Sequence, residues 1–231
     1  MSGLVVVTGA AGALGRAVAQ AFIDQGSPVL LVDYNEQLLH DAYAGAAGDK
    51  HFLVADLTDE KACQAAFAEA LDAQGPATVL CNIAGGFAMG TDVHDADATI
   101  WHRMLDMNVN TLLNACRAVV PGMQKVGRGK VINVAAASAA SGKASMGAYC
   151  ASKSAVARIT ESMALELREQ GINVNAVAPS IIDTPANRGA MPDADPSKWV
   201  APKELADVMR FLASEQASAI HGAVIPVVGL S

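Results

Sequence analysis

Tyr149 and Lys153 stand four residues apart in Tyr149-Cys150-Ala151-Ser152-Lys153, a spacing that puts both on one helix face. An ammonium beside a phenol favours the phenolate and lowers the Tyr pKa from its usual value of about 10. That tuning makes a tyrosine a usable proton donor or acceptor near neutral pH. The pattern is short, and an exposed helix pair satisfies it equally well. A second chemical feature lies near the start of the chain. Leu4-Val5-Val6-Val7 runs into Thr8-Gly9-Ala10-Ala11-Gly12-Ala13-Leu14-Gly15, which reads as a strand, a small-residue turn and a helix start. Such a turn lets backbone N–H groups and a helix N-terminus approach a pyrophosphate where a Cβ would block it. A tight strand–helix turn without any ligand has the same composition. Asp33 follows about 20 residues beyond the turn, at the end of the second apolar run. A carboxylate there accepts both hydroxyls of an adenosine ribose and repels a 2′-phosphate. Residues 34–40 contain no Arg or Lys to host that phosphate. The turn and the acid together predict NAD(H) over NADP(H). Asp56, in Ala55-Asp56-Leu57, either faces an adenine amino group or caps Thr58-Asp59.

Residues so far apart in sequence need a scaffold to bring them together. Short β-branched runs at 4–8, 28–33, 51–55, 78–82, 130–134, 172–178 and 223–228 read as strands. Most are continuously apolar, as strands of a parallel sheet covered on both faces are. Helical patterns lie between them at 14–25, 35–44, 59–73, 97–123, 148–170 and 202–214. Thr58, before Asp59-Glu60-Lys61, reads as an N-cap. Gly26, Gly75 and Gly171 each stop a helix. The alternation predicts one α/β domain over 1–231: a Rossmann fold with a doubly wound, seven-stranded parallel sheet and helices on both faces. Residues 180–201, with Pro185, Pro192 and Pro196, read as a mobile loop, and a loop of that length is more often functional than filler. Met104, Met107, Leu112 and Leu113 form a buried helix face. Trp101 and Trp199 either roof a substrate pocket or pack as core.

Composition narrows the options. The chain has 231 residues, 52% hydrophobic and 17% charged, which excludes disorder. Lys plus Arg is 16 against 23 Asp plus Glu, a net charge of −7, so a nucleic-acid partner is not expected. No apolar run reaches the roughly 20 residues of a membrane span, and the first residues lack a basic leader. Cys63, Cys81, Cys116 and Cys150 form no C-x-x-C pair and have no His at zinc spacing. No metal site or disulfide framework is expected, and a cytoplasmic location follows as the default.

The order of Thr8-to-Gly15 turn, Asp33, Asp56, Asn82-Ile83-Ala84-Gly85, Asn108, Tyr149/Lys153 and Pro179-to-Thr184 resembles the short-chain dehydrogenase/reductase family, over essentially the whole chain. The resemblance implies that Tyr149 is the general acid/base for a small carbonyl or alcohol substrate. Lys153 would bind the nicotinamide ribose and depress the Tyr149 pKa, and Asn108 would hold a proton-relay water. Gly9, Ala11, Gly12, Leu14, Gly15, Asp33, Asp56, Leu57, Asn82, Ala84, Gly85, Pro179, Ile182 and Thr184 would line the cofactor, with Ile182 and Thr184 at the nicotinamide carboxamide. Helices 97–123 and 148–170 are those that relatives pair in homodimers or homotetramers. Three positions depart from the pattern. Ala13 stands for a glycine, Ser180 follows Pro179 where a glycine is usual, and Ala136 replaces the substrate-orienting serine. Ser138 and Ser141 lie nearby but out of register. The stretch from Asp183 to Asp195, leading to Trp199, resembles the substrate loop of the dihydropteridine reductases, a branch that also lacks that serine. A quinonoid dihydropterin is thus a second substrate class, and a weakly catalytic NAD-binding sensor is a third reading.

Overall fold

The computed structural model describes residues 3–231. Seven strands carry the fold: β1 (Leu4–Thr8), β2 (Val29–Asp33), β3 (Lys50–Val54), β4 (Ala77–Asn82), β5 (Gly129–Val134), β6 (Ile172–Pro179) and β7 (Val224–Val227). They form one parallel sheet in the order β3-β2-β1-β4-β5-β6-β7. Every residue of β1, β2, β5 and β6 is buried. Alternate residues serve alternate faces. Leu4 and Val6 join one core with Phe67, Leu112, Val119 and Val156, while Val5 and Val7 join the other with Phe22, Leu39, Leu205 and Met209. Continuous apolar strands are the sequence signature of this two-sided burial.

Helices α1 (Ala13–Ile23), α2 (Glu36–Ala42) and α8 (Pro202–Ala213) cover one face, and α3 (Glu60–Gln74), α5 (Thr111–Val126) and α6 (Gly147–Leu167) the other. The expected strands and the helices at 14–25, 35–44, 59–73, 148–170 and 202–214 all form, with no end shifted by more than three residues. The pattern at 97–123 is not one helix. It divides into α4 (Ala98–Leu105), a π-turn over Asp106–Asn110, and α5. Residues 180–201 are also more ordered than a loop. They hold α7 (Pro185–Ala190) and a 3₁₀ turn at Pro196–Lys198, and Ile182 bridges in parallel to Val200. No helix among the described residues is long and apolar enough to cross a membrane.

The cap of α3 is Asp59, not Thr58. The Asp59 carboxylate accepts from the N–H groups of Lys61 and Ala62, both at 3.0 Å, while the Thr58 hydroxyl turns back to Asp56 at 2.6 Å. A carboxylate accepts both free N–H groups and suits the positive helix end, so it outcompetes a hydroxyl. Asp59→Ala is expected to cost about 0.5–2 kcal/mol in urea unfolding, and Thr58→Ala less than about 0.5 kcal/mol. Equal losses would overturn this assignment.

Candidate active site

The chain runs β1-β2-β3 in one direction from the sheet centre and β4-β5-β6-β7 in the other, so a crevice opens between the carboxyl ends of β1 and β4. The backbone is packed there with no spare room. Gly9 has φ +64°, and a Cβ on it would lie 2.9 Å from the Ala84 nitrogen. A Cβ on Gly15 would collide with the Gly9 carbonyl. The Thr8 hydroxyl holds the two strand ends together by accepting from the Ile83 and Ala84 N–H groups at 3.0 and 3.1 Å. Helix α1 starts at Gly12 with no side-chain cap and no acid in its first turn. Its N-terminal N–H groups are therefore available to an anion. Ala13 supplies a methyl where the family pattern has hydrogen, and Leu14 is buried in the core behind the turn.

Asp33 closes the far end of this crevice. Its carboxylate accepts from Ala11 N–H at 2.9 Å and Tyr34 N–H at 2.9 Å, and the residue is buried. Ionised carboxylate has about four acceptor positions, so two remain for ribose hydroxyls. Tyr43 supports the same turn from below, donating its hydroxyl to the Ala10 carbonyl at 2.8 Å. Its burial raises its pKa far above the phenol range, so it stays protonated as a donor. No sequence signal marks Tyr43, because only the tertiary approach of the segment after α2 brings it under the turn.

Three further expected cofactor residues have side chains with partners inside the protein. Asp56 is exposed and accepts from the backbone N–H and hydroxyl of Thr58 at 2.9 and 2.6 Å, the capping arrangement of the two alternatives. The Leu57 side chain is buried in the core under α3 and α5. Asn82 also turns inward. Its amide donates to Asn133 at 2.9 Å, Asn133 donates to Thr160 at 2.9 Å, and Thr160 donates to the Val156 carbonyl at 2.8 Å. This buried chain ties β4 and β5 to α6. The reason is strand parity: Asn82 shares the face of Leu80, which points at those helices.

Ala84 and Gly85 do line the crevice. A Cβ on Gly85 would stand 2.7 Å from the Asn108 side-chain oxygen and 3.4 Å from Lys153 Nζ, so this segment meets the Tyr149–Lys153 helix directly. Asn108 sits in the π-turn and is buried. Its side chain accepts from Gly86 N–H at 2.9 Å and donates to the Gly86 carbonyl at 3.1 Å and to Ser152 Oγ at 3.0 Å. Ser152 in turn donates to the Tyr149 carbonyl at 2.8 Å. The side-chain amide thus clamps the β4 exit against α6. Ser152 is a supporting residue that spacing did not reveal.

Lys153 is buried, and its ammonium donates to the Val134 carbonyl at 2.7 Å. The Tyr149 hydroxyl has no hydrogen-bond partner among the described residues, and its ring meets Phe87 edge-on, centroids 4.8 Å apart. Beyond β5, Ala136 is buried at the start of a 3₁₀ turn, Ala137–Ala140. That turn is pinned to α6 by Cys150 Sγ on the Ser138 carbonyl at 3.5 Å and by Ser154 Oγ on the Ala139 carbonyl at 2.8 Å.

Opposite Tyr149, Pro179 ends β6 and Ser180 Oγ donates to the Val228 carbonyl at 2.8 Å. Thr184 caps α7, its hydroxyl oxygen accepting from Asn187 N–H at 3.1 Å, and Asn187 donates to the Ile182 carbonyl at 2.8 Å. Arg188 forms a two-point ion pair with Asp183 at 2.6 and 2.8 Å. Trp199 is buried beneath this segment, which favours packing over a roof. All four cysteines are free and buried, and no group of three His, Cys, Asp or Glu among the described residues is placed to hold a metal.

The electrostatics differ from the expected tuning. Burial pushes Tyr149 up to about 12, with the Cys150 thiolate charge adding to the rise, and burial pulls Lys153 down to about 8. The ammonium faces Val134 and does not depress the phenol. Between pH 8 and the ordinary Lys value of 10.5, the unfolded chain binds more protons at position 153 than the folded one. Stability from this group therefore rises with pH across that window. Tyr149 acts in the opposite sense above pH 10, where the folded chain keeps its proton longer. The wild type is expected to gain urea stability relative to Lys153→Met as pH rises from 8 to 10. A constant difference would refute the buried, proton-releasing Lys153.

A sequence profile for the short chain dehydrogenase family matches residues 3–195. The 2,5-dichloro-2,5-cyclohexadiene-1,4-diol dehydrogenase of Sphingobium indicum is 30% identical over 237 residues, covering 98% of this chain and 94% of the relative. The galactitol 2-dehydrogenase of Rhizobium johnstonii is 34% identical, covering 96% and 92%. The crystal structure of gox2181 superposes with a TM-score of 0.93 at 28% identity, covering 99% and 95%. The chain is an oxidoreductase that belongs to the short-chain dehydrogenase family.

Proposed function

We propose that the protein is an NAD(H)-dependent oxidoreductase that interconverts a small alcohol and its carbonyl form, with Tyr149 as general acid/base. The observation that carries this reading is the meeting of the Gly85 backbone with Lys153 Nζ on the helix that also presents Tyr149, whose hydroxyl has no partner among the described residues. Relatives named for a cyclic diol and for galactitol support an alcohol as the class. The crevice fits a dinucleotide: Gly9 and Gly15 have no room for a Cβ, α1 has an uncapped N-terminus, and Asp33 is fixed at the ribose end. Bound there, NADH supplies the hydride. Gly9, Ala11, Gly12 and Gly15 would face the phosphates, Asp33 the adenosine ribose, and Ala84 and Gly85 the middle of the molecule. Pro179, Ile182 and Thr184 would flank the nicotinamide, the Thr184 hydroxyl keeping its own proton free to donate.

Lys153 uses one of its three donors on Val134 and has two left for ribose hydroxyls. Tyr149, held protonated by burial, gives its proton to the carbonyl oxygen as the carbon accepts hydride, and takes it back in the oxidative direction. Asn108 acts as a positioning residue that fixes Gly86 against α6. No serine hydroxyl stands at position 136, so a substrate with little need of a second donor is favoured. In a reaction that does need one, its loss costs roughly 2.7–4 kcal/mol, by analogy with an oxyanion donor. That gap also suits a quinonoid dihydropterin, the second substrate class, and an assay with that acceptor separates the two. Pairing of copies through α5 and α6 into a dimer or tetramer belongs to the same reading.

Tyr149→Phe is expected to lower turnover at least about a thousandfold while leaving NADH binding, followed by fluorescence, within about threefold. Retained turnover would remove Tyr149 as the acid. NADH is expected to bind at least about tenfold more tightly than NADPH, a difference of about 1.4 kcal/mol. Asp33→Ser is expected to narrow that ratio. Equal affinities in the wild type would refute the role of Asp33.

A further inference from the structure

We propose that the substrate cleft selects an uncharged, apolar ring-bearing alcohol or ketone, and that Phe87 is the residue that selects it. The inference rests on the oxidoreductase reading and names the substrate class of that same site. Phe87 lies on the segment between β4 and α4, with its ring edge-on to Tyr149 at 4.8 Å and an interplanar angle of 76°. Phe87 is 54% exposed, and Met89 and Val93 on the same segment are 63% and 57% exposed. Three such side chains stand within seven residues, and the first of them meets the Tyr149 ring directly.

This wall is held in place. Gly90 N–H donates to the Ser145 carbonyl at 2.9 Å, and Ser145 has φ +58°, a conformation that non-glycine residues rarely adopt. A Cβ on Gly147 would lie 2.5 Å from Val93 Cγ2, so the segment rests directly on the start of α6. The strained serine and the bare glycine both serve the close seating of the apolar segment beside Tyr149.

Charge near the cleft argues against anions. Residues 83–97 include Asp92, Asp95 and Asp97 and no Lys or Arg. The cation on the opposite wall, Arg188, is held at two points by Asp183. Ala136 offers a methyl where a hydroxyl would orient a polar substrate. A ring ketone needs one donor for its oxygen, which Tyr149 supplies, and an apolar surface for its carbons, which Phe87 supplies. A linear polyol would leave its remaining hydroxyls against Phe87 and Met89 without partners, a costly arrangement.

The test uses the full-length protein with NAD⁺ and three alcohols: cyclohexanol, galactitol and lactate, with 2-propanol as a small reference. The wild type is expected to favour cyclohexanol over galactitol and over lactate at least about tenfold in kcat/KM, about 1.4 kcal/mol in transition-state terms. Phe87→Ala is expected to lower the cyclohexanol-to-2-propanol ratio of kcat/KM about tenfold, mainly through KM, and Phe87→Leu to restore part of it. Galactitol or lactate oxidised as well as cyclohexanol would overturn the proposal, as would an unchanged ratio in Phe87→Ala. Turnover of a quinonoid dihydropterin at a higher kcat/KM than cyclohexanone would overturn it too. If NADH binds and no ring alcohol is oxidised, the substrate class is wrong and the cofactor reading stands. If NADH does not bind, the oxidoreductase reading itself fails.

Discussion

The Asn108 carboxamide spans the N–H and carbonyl of Gly86 on one side and the Ser152 hydroxyl on the other, and the far wall of the crevice is built from that one side chain. It requires a bare backbone at Gly85 and Gly86, because a Cβ on either would strike Asn108 or Met107. It also requires that a helix already carrying Met104 and Leu112 into the core deliver Asn108 at the right height. The π-turn over Asp106–Asn110 supplies that adjustment by adding a residue to the turn. With the segment after β4 drawn against α6, Phe87 reaches the Tyr149 ring and Lys153 lies under Gly85. Both contacts have a second anchor: Gly90 N–H on the Ser145 carbonyl for the Phe87 segment, and the Val134 carbonyl for Lys153.

The sheet side of α6 is set by a second polar chain in the core. Asn82, Asn133 and Thr160 link β4 and β5 to the middle of the helix; each amide donates to a partner, and the Asn82 side-chain oxygen is an acceptor with no partner among the described residues. Buried amides are demanding because an unmatched group costs about 1–3 kcal/mol. That cost makes the register of β4 against β5 specific: a slip of β4 by one residue would break the Asn82–Asn133 link and turn Asn82 toward the opposite core. The Asn82 of the Asn-Ile-Ala-Gly run therefore contributes to the site through the sheet, and Ala84 and Gly85 contribute through the crevice.

These facts explain which features the residues announce. The strands are legible because both faces of the sheet are buried, so each strand reads as an unbroken apolar run. The glycine turn and Asp33 are legible because steric limits and charge act locally. The π-turn is not legible, since Met104, Met107 and Leu112 continue a helical period straight through it. Tyr43 and Ser152 are invisible for the same reason: their hydroxyls act on partners chosen by tertiary approach. The inward turn of Asn82 is readable from strand parity with Leu80, although its place in the Asn-Ile-Ala-Gly run points to the crevice. The segment 180–201 reads as loop because its three prolines and many polar residues conceal a six-residue helix capped by Thr184.

The Tyr149–Lys153 pair shows why spacing alone does not settle electrostatics. Two residues at i and i+4 share a helix face, yet here their heads part: the ammonium goes to the Val134 carbonyl and the phenol to the cleft and Phe87. Burial then acts on each separately, raising the phenol to about 12 and lowering the ammonium to about 8. A protonated Tyr149 is suited to give a proton to a forming alkoxide, whereas a depressed phenol would be suited to take one from an alcohol. Lys153, anchored at one donor only, is the part able to reverse that bias, since any anionic or hydroxyl-rich group that draws its ammonium nearer the phenol would favour the phenolate. The direction of catalysis is therefore set less by the two residues themselves than by what comes to lie between them.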